Sequence, residues 1–349
     1  MGGNDKPQRR TDRGWLRCAI LVLVLVVQAG CAGLPATDAL PSWNAGRVKA
    51  AIVALVEASV RDGAPGYVPP AERIAVFDND GTLWTEQPMY VEVLFTHQRI
   101  RALAAQHPEW RTQMPFAAVV NDDRAAMAKM TEADFFLLAG TAHEEVGPAE
   151  YRGLVAQWLA TSRHPRFGRP YTDLVYQPML EVLAYLRANG YKTYIVSGGT
   201  IDFIRAFAER AYGIPPEQVI GTNFEAIYSF DNDVARLAIG PKVALLDDGP
   251  GKAVGIDRMI GRVPILAFGN SDGDLAMLET TTNSPQSKAR PRLAAFVWHT
   301  DGVREYAYDR DSFVGRLNRG LDLAPKLGWH LIDMKTDWKV IYPYELPGR

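Results

Sequence analysis

Cysteine is nearly absent from this chain: Cys18 and Cys31 are the only two in 349 residues. That excludes a disulfide-stapled scaffold and a zinc centre built on thiolates. Histidine is sparse as well. The six (97, 107, 143, 164, 299 and 330) are scattered, and none stands at zinc-ligand spacing from a cysteine. Neither charge is in excess, since 38 Lys and Arg face 40 Asp and Glu for a formal charge of −2. No electrostatic footprint for nucleic acid is therefore visible. Internal repeats and low-complexity tracts are missing too. What is present is 47% hydrophobic and 22% charged residues, the balance of an ordinary globular protein. The length suits one large domain or two smaller ones.

The first thirty residues differ from the rest. Lys6, Arg9, Arg10, Arg13 and Arg17 precede an apolar run at residues 19–27, and Ala29-Gly30 leads into Cys31. The run is too short to span a bilayer comfortably. Basic segment, short apolar core and small residues before a cysteine resemble a bacterial lipoprotein signal. That resemblance implies cleavage before Cys31, a lipid anchor on its thiol, and a place in the bacterial cell envelope, periplasmic or extracytoplasmic. Gln28 departs from the pattern, which prefers an aliphatic residue there, so plain secretory cleavage or an uncleaved anchor stays open. With Cys18 lost and Cys31 acylated, the mature body would hold no thiol able to form a bridge.

Beyond a tether over residues 31–45, residues 48–60 read as an amphipathic helix and 63–70 as a loop rich in Gly and Pro. A buried strand is expected at 73–77. Residues 86–176 then lose strand character, with apolar residues at helical spacing over 90–106, 116–130, 132–139 and 149–161. Alternation returns from 177: helix 177–189, strand 191–196, helix 201–212, paired strands within 219–230, strand 263–268 and a last strand at 293–299. Strands alternating with helices predict an α/β fold with a doubly wound, Rossmann-like parallel sheet. The expected division is 1–30 signal, 31–45 tether, 46–85 with 177–349 as α/β core, and 86–176 as an all-helical insert. The aromatic residues beyond Asp301 carry no interpretable motif.

The strand at 73–77 runs into Asp78-Asn79-Asp80-Gly81-Thr82-Leu83-Trp84. Two carboxylates at i and i+2, on the sheet edge where ligands bind in open α/β folds, suit a nucleophile and a proton donor sharing a metal. Taken alone, the segment is also an ordinary acidic turn. Three further segments follow. Ser197-Gly198-Gly199-Thr200 ends a strand on a hydroxyl and opens a helix, a natural phosphate-oxygen cradle. Gly249-Pro250-Gly251-Lys252 opens the helix at 253–260, with Lys242 as a competing lysine. Gly269-Asn270-Ser271-Asp272-Gly273-Asp274 again delivers acids to a strand end.

In this order the four segments resemble those of haloacid dehalogenase (HAD) superfamily phosphatases, across roughly residues 70–300. The resemblance implies Mg²⁺-dependent hydrolysis of small phosphomonoesters, with Asp78 as nucleophile and Asp80 as general acid and base. It gives Ser197, Gly198 and Lys252 the phosphate. It gives the metal to Asp78, the Asp80 carbonyl and one residue of the last segment, with Asp274 behind them. Many family members place aspartate where Asn270 stands, so Asn270 or Asp272 would complete the metal site. The insert takes the position of a cap resembling that of phosphoserine phosphatases. Glu86 lies near the point from which those enzymes read a substrate amine, against a reading as a surface acid at the cap hinge. An acid at Asp80 disfavours dehalogenation. A phosphomutase, or a catalytically weakened envelope-binding lipoprotein, is the alternative.

Overall fold

Every residue of Ile74-Ala75-Val76-Phe77 is apolar, and strand β1 (Ile74–Phe77) is buried along its whole length. Continuous burial marks a strand covered on both faces. Its alternate residues enter two different cores. Ala75 and Phe77 join a cluster holding Ile52 and Val56 of helix α1 (Arg47–Val60), whereas Ile74 and Val76 join one holding Ile256, Met277 and Leu278. The same alternation sends Leu266, Phe268 and Ala295 to the first core and Ala267, Ala294 and Phe296 to the second. Helices thus cover both faces, as expected for a doubly wound sheet.

The computed structural model describes residues 1–4, 38–143 and 146–348. The leader, Cys31 and most of the tether lie outside them. Among the described residues no helix is long and apolar enough to cross a membrane. Seven strands form one sheet: β1, β2 (Lys192–Thr200), β3 (Val219–Asp231), β4 (Val234–Leu245), β5 (Leu266–Gly269), β6 (Leu293–Trp298) and β7 (His330–Asp333). Their order is β4-β3-β2-β1-β5-β6-β7. All neighbours are parallel except β3 and β4. Phe77 pairs with both Ile195 and Phe268. That register brings Asp78 and Asn270, just past the ends of β1 and β5, close to the level of Ser197 inside β2.

Two expectations about strands need correction. The segment at 219–230 is not a pair but one long strand, whose partner is β4. Asn232 and Asp233 between them both take positive φ, 51° and 61°, the geometry of a type I′ hairpin turn. Nor is 293–299 the last strand, because β7 follows from within the aromatic tail and pairs with β6.

Between β1 and β2 lie helices α2 (Val91–Leu103), α3 (Phe116–Val120), α4 (Arg124–Met127), α5 (Glu132–Ala142), α6 (Pro148–Thr161) and α7 (Gln177–Ala188). The expected single helix at 116–130 is broken: Asp122 has φ of 54°, and the Asp123 carboxylate caps α4 by accepting from the Ala125 and Ala126 N–H groups. Residues 201–212 split likewise into α8 (Ile201–Arg205) and α9 (Ala208–Tyr212). Ile100, Leu103, Trp110, Phe116, Val119 and Leu138 form a separate small core within the helical segment. Gly140 lets α5 meet the β3–β4 hairpin, since a Cβ there would lie 2.9 Å from the Pro241 carbonyl oxygen.

Candidate active site

The centre of the site is a buried ammonium. Lys252, near the start of helix α10 (Pro250–Ile260), is 2% exposed. Its Nζ donates to Asp78 Oδ1 at 2.6 Å, to Asp274 Oδ1 at 2.6 Å and to the Val196 carbonyl at 2.9 Å. All three donors of the group are used. Burial alone would favour the neutral amine, but Asp274, Asp78 and Asp248 outweigh it and hold the Lys252 pKa above its ordinary value. Burial pushes Asp78 upward, with Lys252 pulling against it. The short bond from the ammonium fits the carboxylate form of Asp78.

Asp78 is fixed at the end of β1 by its N–H, which donates to the Phe268 carbonyl at 2.9 Å. Asp80 receives the Trp84 indole N–H on Oδ1 at 2.8 Å and the Asn79 amide on Oδ2 at 3.2 Å. Burial nevertheless raises the Asp80 pKa, against those two hydrogen bonds. Asp274 turns its second oxygen to the N–H groups of Asn270 and Ser271, each at 2.9 Å. One carboxylate thus positions the lysine and the loop that follows β5.

Thr82 Oγ lies 3.2 Å from Asn270 Oδ1 and 3.5 Å from Asp78 Oδ2. The Thr82 hydroxyl thus gathers two side-chain oxygens, Asn270 Oδ1 and Asp78 Oδ2, beside the loop that follows β1. An oxygen-only set of this kind fits a hard cation such as Mg²⁺, which keeps several waters. Among the described residues no group of three or more His, Cys, Asp or Glu side chains could hold a metal. The protein's share would rest on Asp78, the Asn270 amide and a backbone carbonyl.

Asp272 does not belong to this set. Its carboxylate accepts the N–H groups of Asn318, Arg319 and Gly320 at 2.8–3.1 Å, holding the start of the helix that follows α11 (Leu275–Asn283), helix α12 (Arg319–Leu327). Lys242 is exposed on the hairpin strand β4 and is not among the residues lining the cavity that holds Lys252. Asp78, Asp80, Ser197, Gly198 and Lys252 all line one cavity. The Ser197 hydroxyl accepts the Gly199 N–H at 3.1 Å, and β2 is irregular between Ser197 and Thr200.

Glu86 is not a surface acid. It is 2% exposed and lines the same cavity. Its Oε1 accepts from Asn270 Nδ2 and from the Tyr308 hydroxyl, both at 2.7 Å. Burial raises its pKa well above the ordinary range, opposed by the Tyr308 bond and reinforced by the charges of Asp80 and Asp78. Gly81 makes this packing possible. It has φ of 73°, and a Cβ there would sit 2.0 Å from Asn270 Nδ2 and 2.4 Å from Glu86 Oε1.

The tail residues beyond Asp301 reach the same loop. Tyr308 stacks on His299 at 4.3 Å between ring centroids. His299 Nε2 lies 2.8 Å from the Gly81 carbonyl and Nδ1 3.2 Å from Glu305. Trp84, which stacks on Phe207 at 4.5 Å, was visible in the sequence beside the acids but carried no role there. The contacts of Glu86, His299 and Tyr308 left no local signal, apart from the density of aromatics in the tail.

Fold and site together place the chain among Rossmann-like enzymes that gather acids and a lysine at the carboxyl edge of a parallel sheet. Residues 75–279 match the haloacid dehalogenase-like hydrolase family, and the chain belongs to that family. Several solved structures align with much of the chain at low identity. A protein of unknown function from Bordetella pertussis Tohama I is 16% identical, over 75% of this chain and 99% of its own, with a TM-score of 0.46. A phosphoserine phosphohydrolase-like protein from Francisella tularensis subsp. tularensis SCHU S4 is 13% identical over 73% and 99%, with a TM-score of 0.34. Cytosolic 5'-nucleotidase IIIB bound to cytidine is 14% identical over 72% and 77%, with a TM-score of 0.40. No curated protein matches the sequence.

Proposed function

We propose that this hydrolase is an exported, Mg²⁺-dependent phosphomonoesterase that works through an aspartyl-phosphate on Asp78. The observation that carries the reading is the Lys252 ammonium clamped between Asp78, Asp274 and the Val196 carbonyl. It keeps Asp78 ionised in a buried place and sets a fixed positive charge where phosphoryl oxygens must arrive.

In the first half-reaction an Asp78 oxygen attacks phosphorus and the bond to the ester oxygen breaks. Asp80, whose raised pKa suits a protonated acid, gives its proton to the leaving alkoxide. In the second, Asp80 takes a proton from water as the water attacks phosphorus, and the Asp78–phosphorus bond breaks to release phosphate. Ser197 and Gly198 bind the phosphoryl oxygens, and Lys252, its three donors committed to Asp78, Asp274 and Val196, acts on them through its nearby positive charge. Asp78, Asn270 and the Asp80 carbonyl would hold Mg²⁺, which when bound supplies positive charge against the phosphate. The helical segment over residues 91–161 serves as a cap, excluding water from the site.

Asp78→Asn is expected to lower phosphate release from a phosphomonoester panel by on the order of 10⁴-fold or more. Residual turnover near the parent level would sink the nucleophile assignment. Mg²⁺ binding without turnover of any phosphomonoester would favour the envelope-binding alternative, for which Asn270 is the motive. Export and the Cys31 anchor rest on the leader sequence. Release of a Cys31→Ser chain from the membrane fraction tests them.

A further inference from the structure

The cavity above Asp78 is far larger than a small phosphomonoester requires. It measures about 1410 Å³ and runs without interruption from Asp78, Ser197 and Lys252 up into the helical segment. Ligand sites usually occupy about 300–1,000 Å³. Much of the wall from the helical segment is apolar, with Val93, Met127, Met130, Phe135, Phe136 and Leu138 set among the polar His97, Arg124, Thr131 and Glu132. These residues come from α2, α4, α5 and the loop before α5, so the wall belongs to the segment that covers the site.

The charged groups around it do not suit a compact zwitterion. Glu92 is committed to the Thr200 N–H and hydroxyl, and Glu86 to Asn270 and Tyr308. The roof's cation is Arg124, which is exposed. His97 is held neutral near pH 7, its pKa lowered to about 4 by burial beside Arg101. A substrate carrying an amino acid headgroup would therefore leave its carboxylate without a buried partner, which is costly.

We infer that the organic part of the substrate is an extended apolar group, housed by the wall of Met127, Met130, Phe135 and Phe136 while the phosphate sits on Lys252. The occupant is fixed by continuity: the chamber opens onto the phosphate end of the site, so whatever fills it is attached to the phosphate. This rests on the phosphomonoesterase reading for the reaction, though not for the binding.

A homologous series separates the two. Methyl, butyl and octyl phosphate, kept below micelle formation, are assayed for kcat/KM with Mg²⁺. The matching methyl-, butyl- and octylphosphonates are titrated into the full chain by calorimetry. Burial contributes about 0.8 kcal/mol per methylene, or roughly three- to fourfold. Octyl is thus expected to exceed butyl by at least tenfold in both measurements. Phe136→Glu is expected to flatten the series and Phe136→Leu to preserve it. Turnover that does not depend on chain length overturns this inference and leaves the hydrolase reading standing. No turnover, with octylphosphonate still binding tightest, overturns the hydrolase reading and leaves the chamber. A flat series in both measurements, with no turnover, overturns both.

Discussion

The floor and the roof of the cavity are held together by different physics. On the floor, Lys252, Asp78 and Asp274 have side chains 2%, 9% and 1% exposed, and the three ammonium protons, Asp78 Oδ1 and both Asp274 oxygens have named partners at 2.6–2.9 Å. The geometry there is directional, and a single deletion strands a charge. In the roof, Met127, Met130 and Val120 pack partly buried against a small core of Trp110, Phe116 and Leu138, while Leu137 nearby is 49% exposed. Apolar contacts of this kind are non-directional, and cores of this sort tolerate exchange at roughly constant volume. A floor built by hydrogen bonds fixes the reaction. A roof built by Met, Leu and Phe is free to change what it admits.

The sharpest way to break that contrast is to strand the floor. Lys252→Met fills a similar volume but leaves Asp78 and Asp274 facing each other without a cation. Removing one partner of a buried ion pair costs about 3–5 kcal/mol. Urea unfolding at pH 7 should show that loss, together with loss of phosphate release. A stability within about 1 kcal/mol of the parent would mean the triad contributes little beyond its packing.

A second test lies where roof meets floor. Glu92 of α2 accepts the Thr200 N–H at 2.8 Å and lies in very close contact with its hydroxyl, joining the helical segment to the end of β2. Burial raises its pKa from an ordinary 4.5 to about 7, partly offset by the Thr200 bonds. An acid with a raised pKa binds its proton more tightly when folded, so stability is greatest below pH 4.5. It falls as pH rises towards 7 and is level above. The span corresponds to roughly 3 kcal/mol. Glu92→Gln can keep both contacts without a titratable proton. It should match the parent near pH 4 and exceed it at pH 8 by up to that amount in denaturant titrations. Parallel pH profiles for the two chains would refute the assignment.

The floor was largely legible in the sequence because its residues follow short apolar runs. An apolar run that stops at Asp78, Ser197 or Gly269 announces the residue delivered there, and parallel register then brings those residues close to one level, although β2 itself runs on to Thr200. The braces of the floor were not legible. Tyr308 reaches Glu86 across 222 positions and His299 reaches Gly81 across 218, and no local period encodes such a meeting. The two missed strands have a related cause. The pairing of β7 depends on a neighbour outside its own segment, and β4 beyond the Asn232-Asp233 turn is mostly exposed, without the apolar run that betrays a buried strand.

Asp272 and Asn270 show the limit most closely, because two residues of one loop compete for one role. Spacing leaves both available for the metal. What separates them is the destination of each side chain, and that is set by distant chain. Asn270 is held against Thr82 and Glu86, whereas Asp272 is drawn to three N–H groups at the start of α12. Asp272→Ala should therefore act as the loss of a helix cap, lowering stability by about 0.5–2 kcal/mol. Its Mg²⁺ midpoint, read by calorimetry, should remain that of the parent. Asn270→Ala should do the reverse in emphasis, weakening Mg²⁺ binding by about tenfold. If Asp272→Ala weakens Mg²⁺ while Asn270→Ala does not, the carboxylate must leave α12 when the cation binds, and the floor is less rigid than its hydrogen bonds imply.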